Sequence, residues 1–264
     1  MLELLQGSLQ FIISGALVGL LVGITGVGGG SLMTPILTLI FGVAPTTAVG
    51  TDLAFAAITK GIGTVAHRLH GNVKWNVVTL LCMGSLTTAT LSILLLKQVG
   101  PLSKEWVHFI TFSIGISVLL TALSLTVRAK ILQWVINNPQ RMPHGTTLKV
   151  VTVLVGGVIG VLVTISSIGA GAIGATLILM LYPHLKTAEV AGTDIAYAVP
   201  LTALAGLGHW WLGNVDFSLL FGLLLGSVPA IWLGAKLAST LPDKFTRTAL
   251  AVTLLLVGIK LVLT

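Results

Sequence analysis

Two stretches of the chain, AVGTDLAFAAITKGIGTVAHRLHGNV at residues 48–73 and VAGTDIAYAVPLTALAGLGHWWLGNV at residues 190–215, read as one segment written twice. At an offset of 142, Gly50-Thr51-Asp52 aligns with Gly192-Thr193-Asp194, His67 with His209, and Gly71-Asn72-Val73 with Gly213-Asn214-Val215, without a gap. Glycine and valine match by chance in so apolar a chain, but Asp, His and Asn are scarce and fall in register. Upstream, at an offset of 141, Thr25-Gly26-Val27-Gly28-Gly29-Gly30 faces Ser166-Ser167-Ile168-Gly169-Ala170-Gly171. The chain therefore divides into a first repeat at 1–127, a linker at 128–147 and a second repeat at 148–264.

The solvent of these repeats is lipid. Of 264 residues, 55% are hydrophobic and 8% charged, against about 25% charged in soluble domains. Apolar stretches at 75–96, 106–127, 217–235 and 246–264 match the roughly 20 residues that cross hydrocarbon. The net charge of +7 does not point to nucleic acid, because Lys and Arg fall mostly between the hydrophobic segments, where they orient helices in a membrane. The first 14 residues carry Glu3 and no Lys or Arg, unlike a cleavable signal peptide, so the first hydrophobic segment is expected to stay. The single cysteine, Cys82, permits neither an internal disulfide nor a Cys-based metal site and reads as a packing residue.

Each repeat opens with an apolar piece (9–24, 149–165), a glycine-rich break and a second, short piece (31–42, 172–182). The short pieces read either as brief crossings or as half-helices that dip in and return, and breaks at matching places in two halves point to a binding site. Three longer helices follow in each repeat, at 46–68, 75–96 and 104–127, then at 187–208, 217–236 and 245–263. The expected fold is an all-α integral membrane protein of two repeats, each a Gly-broken helical hairpin plus three transmembrane helices.

Charge decides the relative orientation of the repeats. If they are inverted, one face collects Lys60, Arg68, Lys74, Arg128, Lys130, Arg141, Lys149, Lys186, Lys236, Lys244 and Arg247, leaving only Lys97, Lys104 and Lys260 on the other. A parallel arrangement splits them almost evenly, so the positive-inside rule favours inversion, with both termini outside and the linker inside.

Irregular backbone survives in hydrocarbon only where it lines a cavity or is buried in protein. Both breaks combine glycines (Gly26, Gly28, Gly29, Gly30; Gly169, Gly171) with hydroxyls (Thr25, Ser31; Ser166, Ser167), and each opens a short helix. A helix N-terminus offers free N–H groups and the positive end of a dipole, which suit an anion. These residues form the expected substrate site, a cage of donors; the alternative is that the glycines serve close helix packing. Asp52 and Asp194 are the acids well inside expected helices, where a charge costs roughly 2.5 to 3.5 kcal/mol. Either each carboxylate, with Thr51 or Thr193, caps a nearby half-helix, or it exchanges a coupling proton as the site opens. His67 and His209 sit at equivalent helix ends beside Arg68, His70 and Trp210-Trp211, a pattern that fits interfacial anchoring or, for His67 and Arg68, an anion entrance. Lys60 either joins a pathway or snorkels to the surface.

No catalytic motif or metal-ligand spacing is present, and GVGGGS lacks the Lys and the βαβ context of nucleotide loops. The expectation is no enzyme, no cofactor and no metal.

The segment GITGVGGGSLMTPIL at 23–37, followed by Ala-Val-Gly-Thr-Asp at 48–52 and repeated in weaker form at 164–194, resembles the sulfite exporter TauE/SafE family. The likeness covers nearly the whole chain and includes Pro35 in the first short piece. The second copy departs from the pattern, with Ala170 in place of Gly29 and Thr176 in place of Pro35. The resemblance implies export of sulfite or organosulfonates such as sulfoacetate across the bacterial inner membrane. Composition and spacing by themselves support an anion carrier of alternating access with possible proton coupling, with a channel or a membrane enzyme as alternatives.

Overall fold

The computed structural model describes residues 2–25, 30–99, 103–238 and 243–263. Ten α-helices follow one another: α1 (Leu2–Thr25), α2 (Gly30–Leu39), α3 (Pro45–Leu69), α4 (Trp75–Val99), α5 (Lys104–Asn137), α6 (Gly145–Ser166), α7 (Ala172–Leu181), α8 (Thr187–Trp211), α9 (Phe217–Ala238) and α10 (Asp243–Leu263). No strand occurs among the described residues. The windows in α4, α5, α6, α8 and α9 are long and apolar enough to cross a bilayer. At 10 residues each, α2 and α7 span about 15 Å at 1.5 Å per residue, half the hydrocarbon thickness. Half-helices by length, neither crosses the hydrocarbon alone.

Helix ends fall close to their expected places except in α5, which runs to Asn137, ten residues into the stretch expected as linker. Only the 3-10 turn Pro139–Arg141 and its flanks connect it to α6. The reason lies in the sequence: Ile131, Leu132, Trp134, Val135 and Ile136 continue an apolar helical pattern beyond Arg128 and Lys130, and Pro139 then stops it.

Contacts come in reciprocal pairs. The first helix of each repeat lies on the fourth helix of the other, α1 on α9 and α6 on α4, while α3 lies on α8 and α5 on α10. A Cβ on Gly84 would collide with the Val153 carbonyl of α6, and one on Gly226 would collide with the Ile12 carbonyl of α1. These two glycines are 142 apart, and their absence of a side chain lets backbones touch where no hydrophobic effect drives helices together. Thr88 Oγ1 exploits the proximity and donates to the Gly157 carbonyl at 2.8 Å.

The repeated Gly-Asn-Val sequence closes α3 and α8 in the same way. Gly71 and Gly213 take φ of 68° and 78°, a region open to glycine at little cost. Asn72 N–H then reaches the His67 carbonyl at 3.0 Å, and Asn214 N–H the His209 carbonyl at 2.9 Å. Gly71 and Gly213 N–H bond Arg68 and Trp210 carbonyls at 3.0 and 2.9 Å, which completes a Schellman cap at each end. Exposed Trp75, Trp106, Trp134, Trp210, Trp211 and Trp232 fit the aromatic belts of a membrane protein.

Candidate functional site

The repeated Gly-Thr-Asp sequence holds the two repeats together. Thr51 Oγ1 accepts from the Asp216 N–H at the start of α9, and Thr193 Oγ1 accepts from the Lys74 N–H at the start of α4, each at 3.0 Å. A side chain on Gly50 would strike the Asn214 carbonyl, and one on Gly192 would meet the Asn72 carbonyl at 2.6 Å. The start of α3 thus touches the end of α8 and the reverse, so the two helices run antiparallel. The threonines do cap helices, but they cap α9 and α4 of the opposite repeat and not the half-helices. Each bond is buried at its threonine, where a lost hydrogen bond costs about 1 to 3 kcal/mol. Thr51→Val and Thr193→Val are each expected to lower the melting temperature by an amount of that order in a detergent thermal-shift assay, with the double variant more than either.

One position later on the same helices, the carboxylates point inward. Asp52 and Asp194 are 0% and 4% exposed. Thr34 Oγ1, on α2, donates to Asp52 Oδ2 at 2.5 Å. Asp194 faces the Gly171 N–H at the start of α7 and lies so close to Gly174 that a Cβ there would collide with its Oδ1 and with Tyr197 Oη. Each acid therefore addresses a half-helix: Asp52 through a hydroxyl of α2, Asp194 through the backbone of α7. Neither contact is a cap of the expected kind: Asp52 is met by a side-chain hydroxyl, and α7 has no side-chain cap hydrogen bond at its start.

Lys60 joins the two. Its side chain is 7% exposed, Nζ donates to the Ala170 carbonyl in the second break at 2.9 Å, and the charges of Asp194 and Asp52 both act on it. It neither snorkels nor stands at an entrance, because the break supplies a carbonyl and the two acids supply countercharge inside the protein.

The second break is built from strained, buried backbone. Ser167 is left-handed at φ 60°, and Gly169 and Gly171 both have φ 138°. Ser166 is fully engaged: its hydroxyl donates to Leu162 O at 2.7 Å, lies 3.0 Å from Ser117 Oγ, whose hydroxyl can donate to it, and accepts from Ile168 N–H at 3.2 Å. Ser167 differs. Its hydroxyl faces Asp52 but closes no hydrogen bond to any described residue, and the same holds for Asp52 Oδ1, Asp194 Oδ1 and Tyr197 Oη. These four buried polar atoms have no partner among the described residues, a feature that calls for an explanation.

Several expected site residues do not converge on this place. Gly26, Gly28 and Gly29 lie outside the described residues, as do the side-chain surroundings of Thr25 and Gly30; Ser31 is buried at the start of α2. Gly169 is a poor place to test ligand approach, since at its φ a valine strains the backbone whatever space is available. His209 is not interfacial: it is 2% exposed and its Nε2 bonds the Thr164 carbonyl at 2.9 Å. His67 lies beside Gly192, and exposed Arg68 stacks 6.0 Å over the Trp75 ring, as an interfacial anchor does. Cys82, remote from the breaks in sequence, sits against Tyr197, its Sγ 3.9 Å from that residue's carbonyl. Sequence reading missed Tyr197 and Thr34. Tyr197 follows Asp194 by three and so shares its helix face; Thr34 carried no such signal.

No group of three or more His, Cys, Asp or Glu side chains suited to a metal occurs among the described residues.

Helices long and apolar enough to cross a bilayer, two 10-residue helices between them, and buried Asp52, Lys60 and Asp194 fit a multi-pass membrane transporter. Residues 11–261 match the family model described as Sulfite exporter TauE/SafE, and the chain belongs to that family. Among curated relatives, "Probable membrane transporter protein YjnA" of Bacillus subtilis (strain 168) is 33% identical over 255 residues, 97% of this chain and 100% of the relative. "Probable membrane transporter protein YdhB" of the same strain is 27% identical and covers 93% of this chain and 96% of its own length. A "Probable membrane transporter protein" of Xylella fastidiosa (strain Temecula1 / ATCC 700964) is 24% identical over 90% of this chain and 87% of its own. No solved structure matches the chain.

Proposed function

We propose that the chain is a secondary carrier of small sulfur-containing anions, sulfite or an organosulfonate, that exports them across the bacterial inner membrane by alternating access with proton coupling. The observation that carries this reading is Lys60, a buried cation on the Ala170 carbonyl of the second break, on which the charges of Asp194 and Asp52 act, with the unpartnered Ser167 hydroxyl in the same break. An incoming anion replaces carboxylate as the partner of the ammonium and takes hydrogen bonds from the unpartnered hydroxyls. A carboxylate so displaced stands beside a second negative charge, and taking up a proton relieves that repulsion. The family match and the names of the relatives support transport. The choice of sulfur anions rests on the family description, and that of export on the same words.

The repeats are inverted and both termini lie outside. The antiparallel run of α3 and α8 supports this, as does the ion pair between Lys74 Nζ and Glu189 Oε1 at 2.6 Å, which joins the α3–α4 turn of one repeat to the start of α8 in the other. Both groups stand on the face that collects the basic residues, as the positive-inside rule requires. The partners are a small anion, the bilayer and a proton; no nucleic acid, metal or cofactor takes part.

Purified protein in proteoliposomes tests the reading with sulfite, sulfoacetate and taurine as solutes. A saturable flux with trans-stimulation is expected. Unsaturable conductance would replace the carrier with a channel, and a chemically altered solute would replace it with an enzyme. In the same assay Ser167→Ala is expected to weaken anion binding by roughly tenfold, since a hydrogen bond to a charged group contributes about 1.5 to 3 kcal/mol, with an unchanged melting temperature. Ser166→Ala is expected to do the reverse, because its hydroxyl is already committed to the fold.

A further inference from the structure

One helix carries polar side chains that the site described above does not use. On α5, Ser117, Thr121, Ser124 and Arg128 are spaced by four, three and four residues, which places them on one face. Ser117 and Thr121 are 1% exposed and Ser124 is 9% exposed, in a helix otherwise apolar enough to cross the membrane. Ser117 and Ser124 face the second half-site, while Thr121 Oγ1 between them donates to the Ser117 carbonyl of its own helix at 2.8 Å. Ser117 Oγ lies 3.0 Å from Ser166 Oγ. Ser124 Oγ donates to Thr176 Oγ1 at 2.8 Å, and Thr176 in turn donates to the Ala172 carbonyl at 2.8 Å, both in the first turns of α7. The Arg128 charge acts on Asp194, whose Oδ1 has no hydrogen-bond partner among the described residues.

We infer that this face of α5 is the wall of a polar half-path for the anion, running from Arg128 to the second break at Ser167 and Lys60. From Ser117 to Arg128 the face is about 16 Å long at 1.5 Å per residue, half the hydrocarbon core. It thus reaches from the break near the midplane to one membrane surface. Hydroxyls in series hand a desolvated oxyanion donors along the way, and Arg128 supplies the charge that draws it in. Arg128 also borders a mostly apolar cavity of about 740 Å³ between α5 and α10, which Ser117, Thr121 and Ser124 do not line. The partner helix α10 offers nothing equivalent: from Leu250 to Leu263 only Thr253 and Lys260 are polar. The half-path therefore belongs to the second break, and the two halves of the molecule are unequal in use. With Ser117 and Thr121 at 1% exposure, the path is shut in this conformation and opens in another.

The inference rests on the anion-carrier reading, and its test does not require the natural substrate. Cysteine is placed singly at Ser117, Thr121 and Ser124, and at the lipid-facing Leu120 as control, in full-length protein carrying Cys82→Ser in proteoliposomes. Each is treated with membrane-impermeant methanethiosulfonates of similar size, one bearing a sulfonate and one a trimethylammonium group. The sulfonate reagent is expected to modify all three stripe cysteines from one side only. Its rate is expected to exceed that of the cationic reagent by about tenfold, through electrostatic attraction at Arg128. Arg128→Gln should remove that preference while leaving modification itself intact. Cysteine is close to serine in size, so Ser117→Cys and Ser124→Cys are the variants least prone to misfold. If stripe positions react no faster than Leu120→Cys, or react equally with both reagents, the half-path is overturned even where saturable anion flux is found. Charge-selective labelling without any anion flux keeps the half-path and removes the carrier reading instead.

Discussion

Lys60→Met is expected to abolish anion transport in proteoliposomes and to destabilise the protein as well. The ammonium is the one cation held between Asp52 and Asp194 among the described elements at the breaks, and its Nζ is bound to the Ala170 carbonyl at 2.9 Å. Truncating one member of a buried, hydrogen-bonded charge pair costs about 2 to 5 kcal/mol of binding. At about 1.4 kcal/mol per tenfold, this is a loss of at least ~30-fold in anion affinity. The fold suffers separately, because the buried acids lose the cation whose charge acts with theirs and the Ala170 carbonyl loses its donor, which costs about 1 to 3 kcal/mol for the unpaired carbonyl alone. Lys60→Met combined with Asp194→Asn removes the orphaned charge and is expected to recover most of the melting temperature while transport stays absent. Recovery of both together would show that Lys60 is structural and would remove it from the site.

Asp194→Asn is expected to uncouple transport from the proton gradient, whereas Asp52→Asn is expected to leave coupling in place. The two acids look equivalent in sequence, but their surroundings differ. Asp52 Oδ2 is held by the Thr34 hydroxyl at 2.5 Å, a bond that an asparagine oxygen accepts equally well. Both acids have an Oδ1 without a partner among the described residues, but Asp194 Oδ1 lies against bare Gly174 of α7 and close to Tyr197 Oη, not against a threonine of a half-helix. That oxygen is where a proton has room to come and go as the anion engages Lys60. The measurement is anion flux with and without an imposed pH gradient in the parent and both variants. An unchanged gradient response in Asp194→Asn would end the proton role of this carboxyl, and loss of response in Asp52→Asn alone would transfer it to the other half.

Much of this architecture was legible in the order of residues. Scarce Asp, His and Asn in register at a fixed offset exposed the repeat, and the length of each apolar run set the helices. Pairs of glycine-rich interruptions marked the breaks, because a lipid-embedded chain has few other reasons to interrupt a helix. The extent of α5 was misread, since the charges of Arg128 and Lys130 look like a boundary although the apolar pattern resumes at Ile131. Charge along a chain reports where solvent lies, not where a helix stops.

Composition and spacing by themselves determined a lipid-embedded, all-helical chain with a doubled unit and a short piece after each break, because hydrophobicity and periodicity are properties of neighbours along the chain. Which groups meet was decided only by the tertiary structure. The Thr51 bond to Asp216 spans 165 residues and that of Lys60 to Ala170 spans 110, and no local pattern encodes such distances. Packing brought Tyr197 and Cys82 to the second break, turned His209 inward onto Thr164 and aligned the hydroxyls of α5 with α7. The same packing made the two halves unequal: a threonine hydroxyl of α2 meets Asp52, while the backbone of α7, bare at Gly174, meets Asp194. Matched sequence gave both acids the same place on their helices, and the different side chains opposite them set what each is free to do.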